Sequence, residues 1–414
     1  MNPAVIAAVW VVLGLIGAAV LRRRTARLIM LVPLAGAGLT LLATRSAAQV
    51  VPLGGLGAIN GLDRAGQGLL VAAGISMALV IALHPAIDVS VARTVGVVGA
   101  SVTLAMASGD PLLTALALTV AVGTLVLRWI GQAPGRATLA AGRIAGSGTA
   151  ALIAASPFLP LSGFTTGARP VVVGGLLVAG VAALLAIYPL GGWAAGVLSV
   201  IRPLDVAPWL VLLVPVVLLL AERIPEGVLG DGVPVYEHIL LVVGLGSAVW
   251  GGFWAVRGPA RTRYGRIFMT DIALCIAAVG GTRNSPAVTG ALIIVISHLT
   301  LAPILLRPAE SGLVWPRRVA WALLSGVPPS PSFWGRFLLL EALAAGNVDS
   351  TIAAVVAMTG IFIATVMACS MRTVRPPAAG WQARVPEAAA WLLVAAGIAI
   401  GLAPQSISTF VFGS

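Results

Sequence analysis

Fourteen apolar runs follow one another along the 414-residue chain, and they decide what it can fold into. They are Pro3–Val20, Leu28–Ala43, Gly68–Leu83, Val91–Ala107, Leu112–Ile130, Leu139–Ala155, Pro170–Ile187, Trp209–Ala221, Val235–Ala255, Ile267–Gly280, Ala287–Leu306, Trp315–Leu340, Ile352–Met371 and Pro386–Ala403. A bilayer core about 30 Å thick is crossed by a helix of ~20 such residues. Trp209–Ala221 is short for a span, and Trp315–Leu340 is interrupted by prolines. The rest of the chain cannot supply a water-facing coat. Only 9% of residues are charged, against about 25% in soluble domains. The expected class is an all-α polytopic membrane protein with about 14 transmembrane helices. The formal charge of +12 lies in short clusters between the runs rather than in one basic domain, which argues against a nucleic-acid partner. The bilayer is the expected surroundings.

The basic residues orient the runs. All 25 are arginine, and cytoplasmic loops collect positive charge. If the spans alternate from an outside N-terminus, nineteen arginines fall on inner segments and five (Arg45, Arg64, Arg169, Arg223, Arg283) on outer ones, with Arg336 inside a run. This bias favours both termini on the outer side of a cell membrane. Leu21-Arg22-Arg23-Arg24 after the first run gives no small-residue cleavage site. Trp129, Trp209 and Trp315 stand at run ends, where an interfacial belt is expected. Cys275 and Cys369 are too few for a metal or iron–sulfur framework, so no cofactor is expected. Thr44–Gln67 and Glu222–Pro234 are long enough for a loop or short surface helix.

Two runs carry helix breakers. The seventh ends in Ile187-Tyr188-Pro189-Leu190-Gly191-Gly192-Trp193, and the twelfth contains Gly326-Val327-Pro328-Pro329-Ser330-Pro331. If helices 4–8 and 9–13 form two five-helix repeats, each break falls in the fourth helix of its repeat. An odd number of helices inverts the second repeat. The expected organisation is a three-helix segment over 1–90, repeats over 91–221 and 235–374, and a last helix in 386–414. Matched broken spans mark ion paths in transporters, because free carbonyls and amides at mid-membrane must be hydrated or buried in protein. Pro189, Gly191, Gly192, Pro328, Pro329 and Pro331 are the broken-helix positions. Proline kinks that serve packing alone are the competing reading.

Ionisable groups inside a bilayer are costly and mark function. The second repeat holds Asp271, His298, Arg336 and Glu341, a candidate proton path. His298 can change charge near neutral pH, or can bridge helices as a neutral residue. Asp271 reads either as a path carboxylate or, slightly favoured, as a partner of Arg266 five residues before it. Arg336 offers a fixed positive charge. Between Thr94 and Trp209 the first repeat reads as having only arginines near run ends.

Several of these segments resemble the antiporter-like proton-translocating membrane subunits of respiratory complex I, which are related to multisubunit sodium/proton antiporters and energy-converting hydrogenases. Leu324-Ser325-Gly326-Val327-Pro328-Pro329-Ser330-Pro331-Ser332-Phe333-Trp334-Gly335-Arg336-Phe337 is similar to that family's AGIPPLSGFWGKF. Ala260–Thr270 is similar to the basic turn entering its KRLLAYSS helix, Ile293–His298 to its central-histidine helix, and Pro189–Trp193 to PLHGW. The resemblance implies fourteen helices with two inverted repeats. It implies that the family's glutamate and two lysines of the first half fall near Thr119, Leu184 and Ala221, and that its helix 12 lysine becomes Arg336. Only the histidine persists, as His298. The implied role is a divergent subunit of a complex I-type quinone oxidoreductase or hydrogenase-type complex. It would scaffold the pumping arm beside other membrane subunits, with conduction of protons or sodium ions confined to the second half and no redox centre of its own. A stand-alone cation/proton transporter is the alternative, and a passive anchor for a peripheral enzyme is a third reading.

Overall fold

The computed structural model describes residues 3–21, 28–41, 51–52, 58–59, 62–84, 87–108, 110–158, 168–223, 233–282, 284–308, 313–346, 348–370 and 380–405. The arginines at 22, 23, 24, 27, 45, 283, 372 and 375 lie outside these residues, as does most of Glu222–Pro234. Seventeen helices are described. They are α1 Pro3–Val20, α2 Leu31–Leu41, α3 Arg64–Leu83, α4 Val91–Ala107, α5 Pro111–Gln132, α6 Arg136–Ala155, α7 Ala168–Leu184, α8 Gly192–Val200, α9 Pro203–Ala207, α10 Val214–Arg223, α11 Val233–Arg257, α12 Arg263–Thr282, α13 Ser285–Leu305, α14 Val314–Ser325, α15 Pro331–Ala344, α16 Val348–Cys369 and α17 Gly380–Leu402. Each of the fourteen runs is helical. The seventh is broken into α7 and α8, and the twelfth into α14 and α15. Among the described residues, nine helices are long and apolar enough to cross a membrane. This is an all-helical polytopic membrane fold. Within Thr44–Gln67, Val51–Pro52 pairs antiparallel with Ala58–Ile59.

Local chemistry explains several helix starts. Asp110 has an extended backbone, and its side chain accepts from the amides of Leu112 at 2.7 Å and Leu113 at 3.2 Å, with Pro111 at the first helical position. Asn284 caps α13 through the Ala287 amide at 3.0 Å, and Ser330 caps α15 through the Phe333 amide at 3.1 Å. In each case a side-chain oxygen replaces the acceptor that the first turn lacks, and a proline sits where no amide hydrogen is needed.

The eighth run is longer than its apolar core suggests. Helical structure continues from Pro203 to Arg223, with a π-helical stretch over Pro208–Leu213 where Pro208 cannot donate to the ladder. The sequence reading starts this run at Trp209. The structure keeps Asp205 inside, 2% exposed, by pairing it with arginines.

The chain divides into two compact units, residues 1–82 with 86–239 and residues 83–85 with 240–414. In the first unit α1 packs along α4 through small residues. A Cβ on Gly14 would lie 2.8 Å from the Cα of Gly96, and one on Gly36 or Gly99 would fall 2.0 or 2.2 Å from the Trp10 ring. Small residues let the backbones approach closely where lipid gives no hydrophobic drive between helices. In the second unit α13 packs against α15, and α12 against both. There a Cβ on Gly290 would meet the Gly335 carbonyl at 2.9 Å.

Candidate functional site

The two breaks are built alike and finished differently. Each contains a cis X–Pro peptide, Tyr188–Pro189 in the first and Pro328–Pro329 in the second. Breaking a helix leaves its last carbonyls without partners. In the first unit two tryptophans take them. The indole N–H of Trp193 donates to the Ala183 carbonyl at 3.2 Å, and that of Trp209 donates to the Leu184 carbonyl at 3.3 Å. Trp193 and Trp209 pack with ring centroids 4.9 Å apart, and Trp129 joins them at 6.0 and 6.2 Å. All three are buried. Trp129 and Trp209 are therefore interior rather than members of an interfacial belt, because their N–H groups find backbone carbonyls inside; Trp315 is 59% exposed. Of the breakers, Gly191 is required: a Cβ there would lie 2.1 Å from the Ala186 carbonyl oxygen. Gly192 has open space around it.

The degenerate family positions lie in this unit. Leu184 is 1% exposed and Ala221 is fully buried, with its carbonyl accepting from the Tyr236 hydroxyl at 2.9 Å. Thr119 spends its hydroxyl on the Ala115 carbonyl of its own helix, at 2.7 Å.

One charged group of this unit was missed by the sequence reading. Asp205 accepts from Arg128 Nε at 3.0 Å and Nη2 at 2.9 Å, and from Arg202 Nε at 2.9 Å. Arg128 also donates to Asp88 at 2.9 Å and to the Ser90 hydroxyl. The stretch between Thr94 and Trp209 thus holds a buried carboxylate as well as arginines, which corrects the expectation. The signal was available in Arg202-Pro203-Leu204-Asp205, a cation and an anion one helical turn apart. Burial works against the charge on Asp88, but hydrogen bonds from Arg128 and from Ser90 hold its carboxyl well below the usual carboxylate range. Elsewhere in the unit Arg223 binds both oxygens of Asp63 at 2.5 and 2.6 Å. The two pairings join the start of run 4 to the end of run 5 and to α9, and the start of run 3 to the end of run 8.

The second unit collects three of the four candidate path residues. Arg336 on α15 binds Asp271 on α12 with two prongs, Nε to one carboxylate oxygen at 2.9 Å and Nη2 to the other at 2.8 Å. His298 on α13 places Nε2 2.9 Å from the same carboxylate. Asp271 and His298 are fully buried and Arg336 is 5% exposed. Phe268 covers the imidazole at 4.5 Å between centroids, and the Tyr264 hydroxyl donates to the His298 carbonyl at 3.1 Å. Ser297 and Ser332 share a 2.6 Å hydrogen bond beside it. Asp271 is not the partner of Arg266. That guanidinium turns away to the Trp254 carbonyl at 2.9 Å and lies 4.3 Å from the Trp254 ring. Five residues separate Asp271 and Arg266, so they point from different faces of α12. Glu341 stands exposed near the end of α15, apart from the three.

With Nε2–H donated to Asp271, His298 keeps an unprotonated Nδ1 that makes no hydrogen bond among the described residues. A neutral imidazole so placed can accept a proton on Nδ1 while the carboxylate stabilises the resulting cation. Arg336 fixes the carboxylate and does not itself release a proton.

No protein-family profile matches the chain, and no curated protein matches it in sequence. Solved structures match it closely in fold. A chain of the Mrp complex from Dietzia sp. DQ12-45-1b superposes over 99% of this chain with a TM-score of 0.85 at 16% identity. This chain spans 51% of that one, about half its length. A chain of respiratory complex I from Thermus thermophilus with bound NADH matches over 99% of this chain and 97% of its own, with a TM-score of 0.82 and 17% identity. A chain of the membrane-bound sulfane sulfur reductase, an archaeal respiratory membrane complex, gives a TM-score of 0.78 at 15% identity, covering 98% of this chain and 96% of that one. The chain therefore has the fold shared by polytopic membrane subunits of these complexes.

Proposed function

We propose that this chain is a divergent antiporter-like membrane subunit of a complex I-type or hydrogenase-type assembly. It scaffolds the membrane arm and conducts ions through its second half alone. The observation that carries the reading is the contrast between the two breaks. The first is closed by tryptophans, and Thr119, Leu184 and Ala221 stand at the positions where the resembled family has its glutamate and lysines. The second keeps a buried carboxylate, imidazole and guanidinium in contact on three helices. A tunable acid–base pair is what loads and releases a proton, and among the described residues of the first break none is present. The proposed organisation is two inverted repeats, 91–221 and 235–374, in a cell membrane, with both termini on the outer side and the arginine-rich loops inside.

The test is ion flux in vesicles that hold the native complex. Wild type, His298→Ala and Arg336→Ala are compared with proton- and sodium-sensitive dyes. The expected result is a loss of proton flux in both variants. Unchanged flux would leave only the scaffold. Native purification that yields the chain without partner subunits, together with cation/proton exchange by that chain in liposomes, would overturn the subunit assignment.

A further inference from the structure

Beside the charged cluster lies a cavity of about 330 Å³ between α14, α15 and α16. Arg336 and Ser325 give its lining polar groups, beside Gly326, the left-handed residue that ends α14. Thr359 adds a hydroxyl, which donates to the Val355 carbonyl at 2.8 Å, and the rest is apolar, with Phe337, Met358 and Phe362 among its lining. Phe337 and Phe362 are 50% and 45% exposed, so the opening is lateral, between α15 and α16.

Arg336 has donors to spare here. Nε and Nη2 are committed to Asp271, whereas Nη1 makes no hydrogen bond among the described residues. Nη1 lies at the cavity wall, 2.9 Å from where a Cβ on Gly326 would be. The side chain is only 7% exposed, and it lines the cavity.

Charge then selects the guest. The Arg336–Asp271 pair is neutral overall. An anion added at this depth would carry an unbalanced charge into a low-dielectric region, and a cation would meet the guanidinium directly. The remaining fit is an uncharged oxygen acceptor on an apolar body, entering sideways from the bilayer.

We propose that this cavity binds the carbonyl group of a neutral lipophilic molecule, with the carbonyl oxygen accepting from Arg336 Nη1 and the apolar body lying between Phe337, Met358 and Phe362. A free lipophilic ketone or ester and the ester carbonyl of a bilayer lipid share this chemistry. The inference stands independently of the subunit assignment.

The probe is a diazirine-bearing fatty acid methyl ester, compared with a diazirine alkane of equal length, photolysed in native membranes and mapped by peptide mass spectrometry. The ester is expected to label segments 333–340 and 355–362 saturably, with half-saturation at least about tenfold below that of the alkane, as a hydrogen bond from a charged donor provides. Met358→Trp, which fills the cavity and leaves the Arg336–Asp271 pair untouched, is expected to abolish saturable labelling; Val355→Trp is the second filler should the first fail to fold. Repeating the titration in ester-linked and ether-linked phospholipid separates the sources. A lower half-saturation in ether lipid identifies bilayer esters as the natural guest, and an unchanged one identifies a free carbonyl compound. Equal labelling by ester and alkane, or saturable labelling that survives both fillers, overturns the proposal.

Discussion

Removing one member of the buried pair in the second unit is expected to cost far more than removing both. Asp271 accepts three bonds of 2.8–2.9 Å, two from Arg336 and one from His298, and all three residues are at most 5% exposed. Asp271→Leu leaves a buried guanidinium without its counter-charge, and Arg336→Met leaves a buried carboxylate with only an imidazole. Each loss should lower stability by ~3–5 kcal/mol. The double variant removes both charges and fills the space with side chains of similar volume. Such replacements are commonly neutral or stabilising, so its loss should fall below ~2 kcal/mol, giving a coupling energy of several kcal/mol. Reversible unfolding of the purified protein in mixed detergent, followed by tryptophan fluorescence, measures all four corners of the cycle. If the two single losses add to within ~0.5 kcal/mol of the double, the residues are not paired in the native protein. The description of the site would then be wrong.

Three further outcomes are expected. Gly99→Ala should destabilise the first unit by ~1–3 kcal/mol through overpacking against Trp10, and adding Trp10→Leu should recover much of that loss in the same unfolding assay. Trp209→Phe keeps an aromatic ring but strands the Leu184 carbonyl and leaves part of the indole's volume empty, costing at least ~1–3 kcal/mol and raising hydrogen exchange around residues 184–187. Asp88 has a depressed folded-state pKa, so its contribution is present above its unfolded value near ~4 and is lost as pH falls below that towards the folded value. Thermal midpoints of wild type and Asp88→Asn should therefore converge on acidification below about pH 4, and a gap that widens there would contradict the pairing.

Much of this fold is readable in the chain because the bilayer imposes one rule, that backbone groups be satisfied internally. Runs such as Val235–Ala255 and Ile352–Met371 lie inside α11 and α16 or differ from them by a few residues. The breaks are equally visible, since Pro189 and Pro328-Pro329 cannot continue a helix. What hides is how long-range partners cancel charge. Asp205 looks like the end of an apolar run until Arg128, 77 residues away, is brought to it. Asp271 looks like the neighbour of Arg266, when its counter-charge comes from residue 336. Glu341 shares a helix with Arg336 yet stands exposed, because five positions turn it to another face. Hydropathy reports depth; it carries no information about which side chains meet there.

The indole clasps on Ala183 and Leu184 also bear on motion. Any bending at the corner between α7 and α8 must first release two N–H bonds and disturb three rings packed at tilted and edge-on angles, so this corner behaves as a fixed elbow. The corner between α14 and α15 turns on Gly326 beside the cavity, but it is held from the other side, where a Cβ on Gly401 of α17 would lie 1.8 Å from the Pro329 carbonyl oxygen.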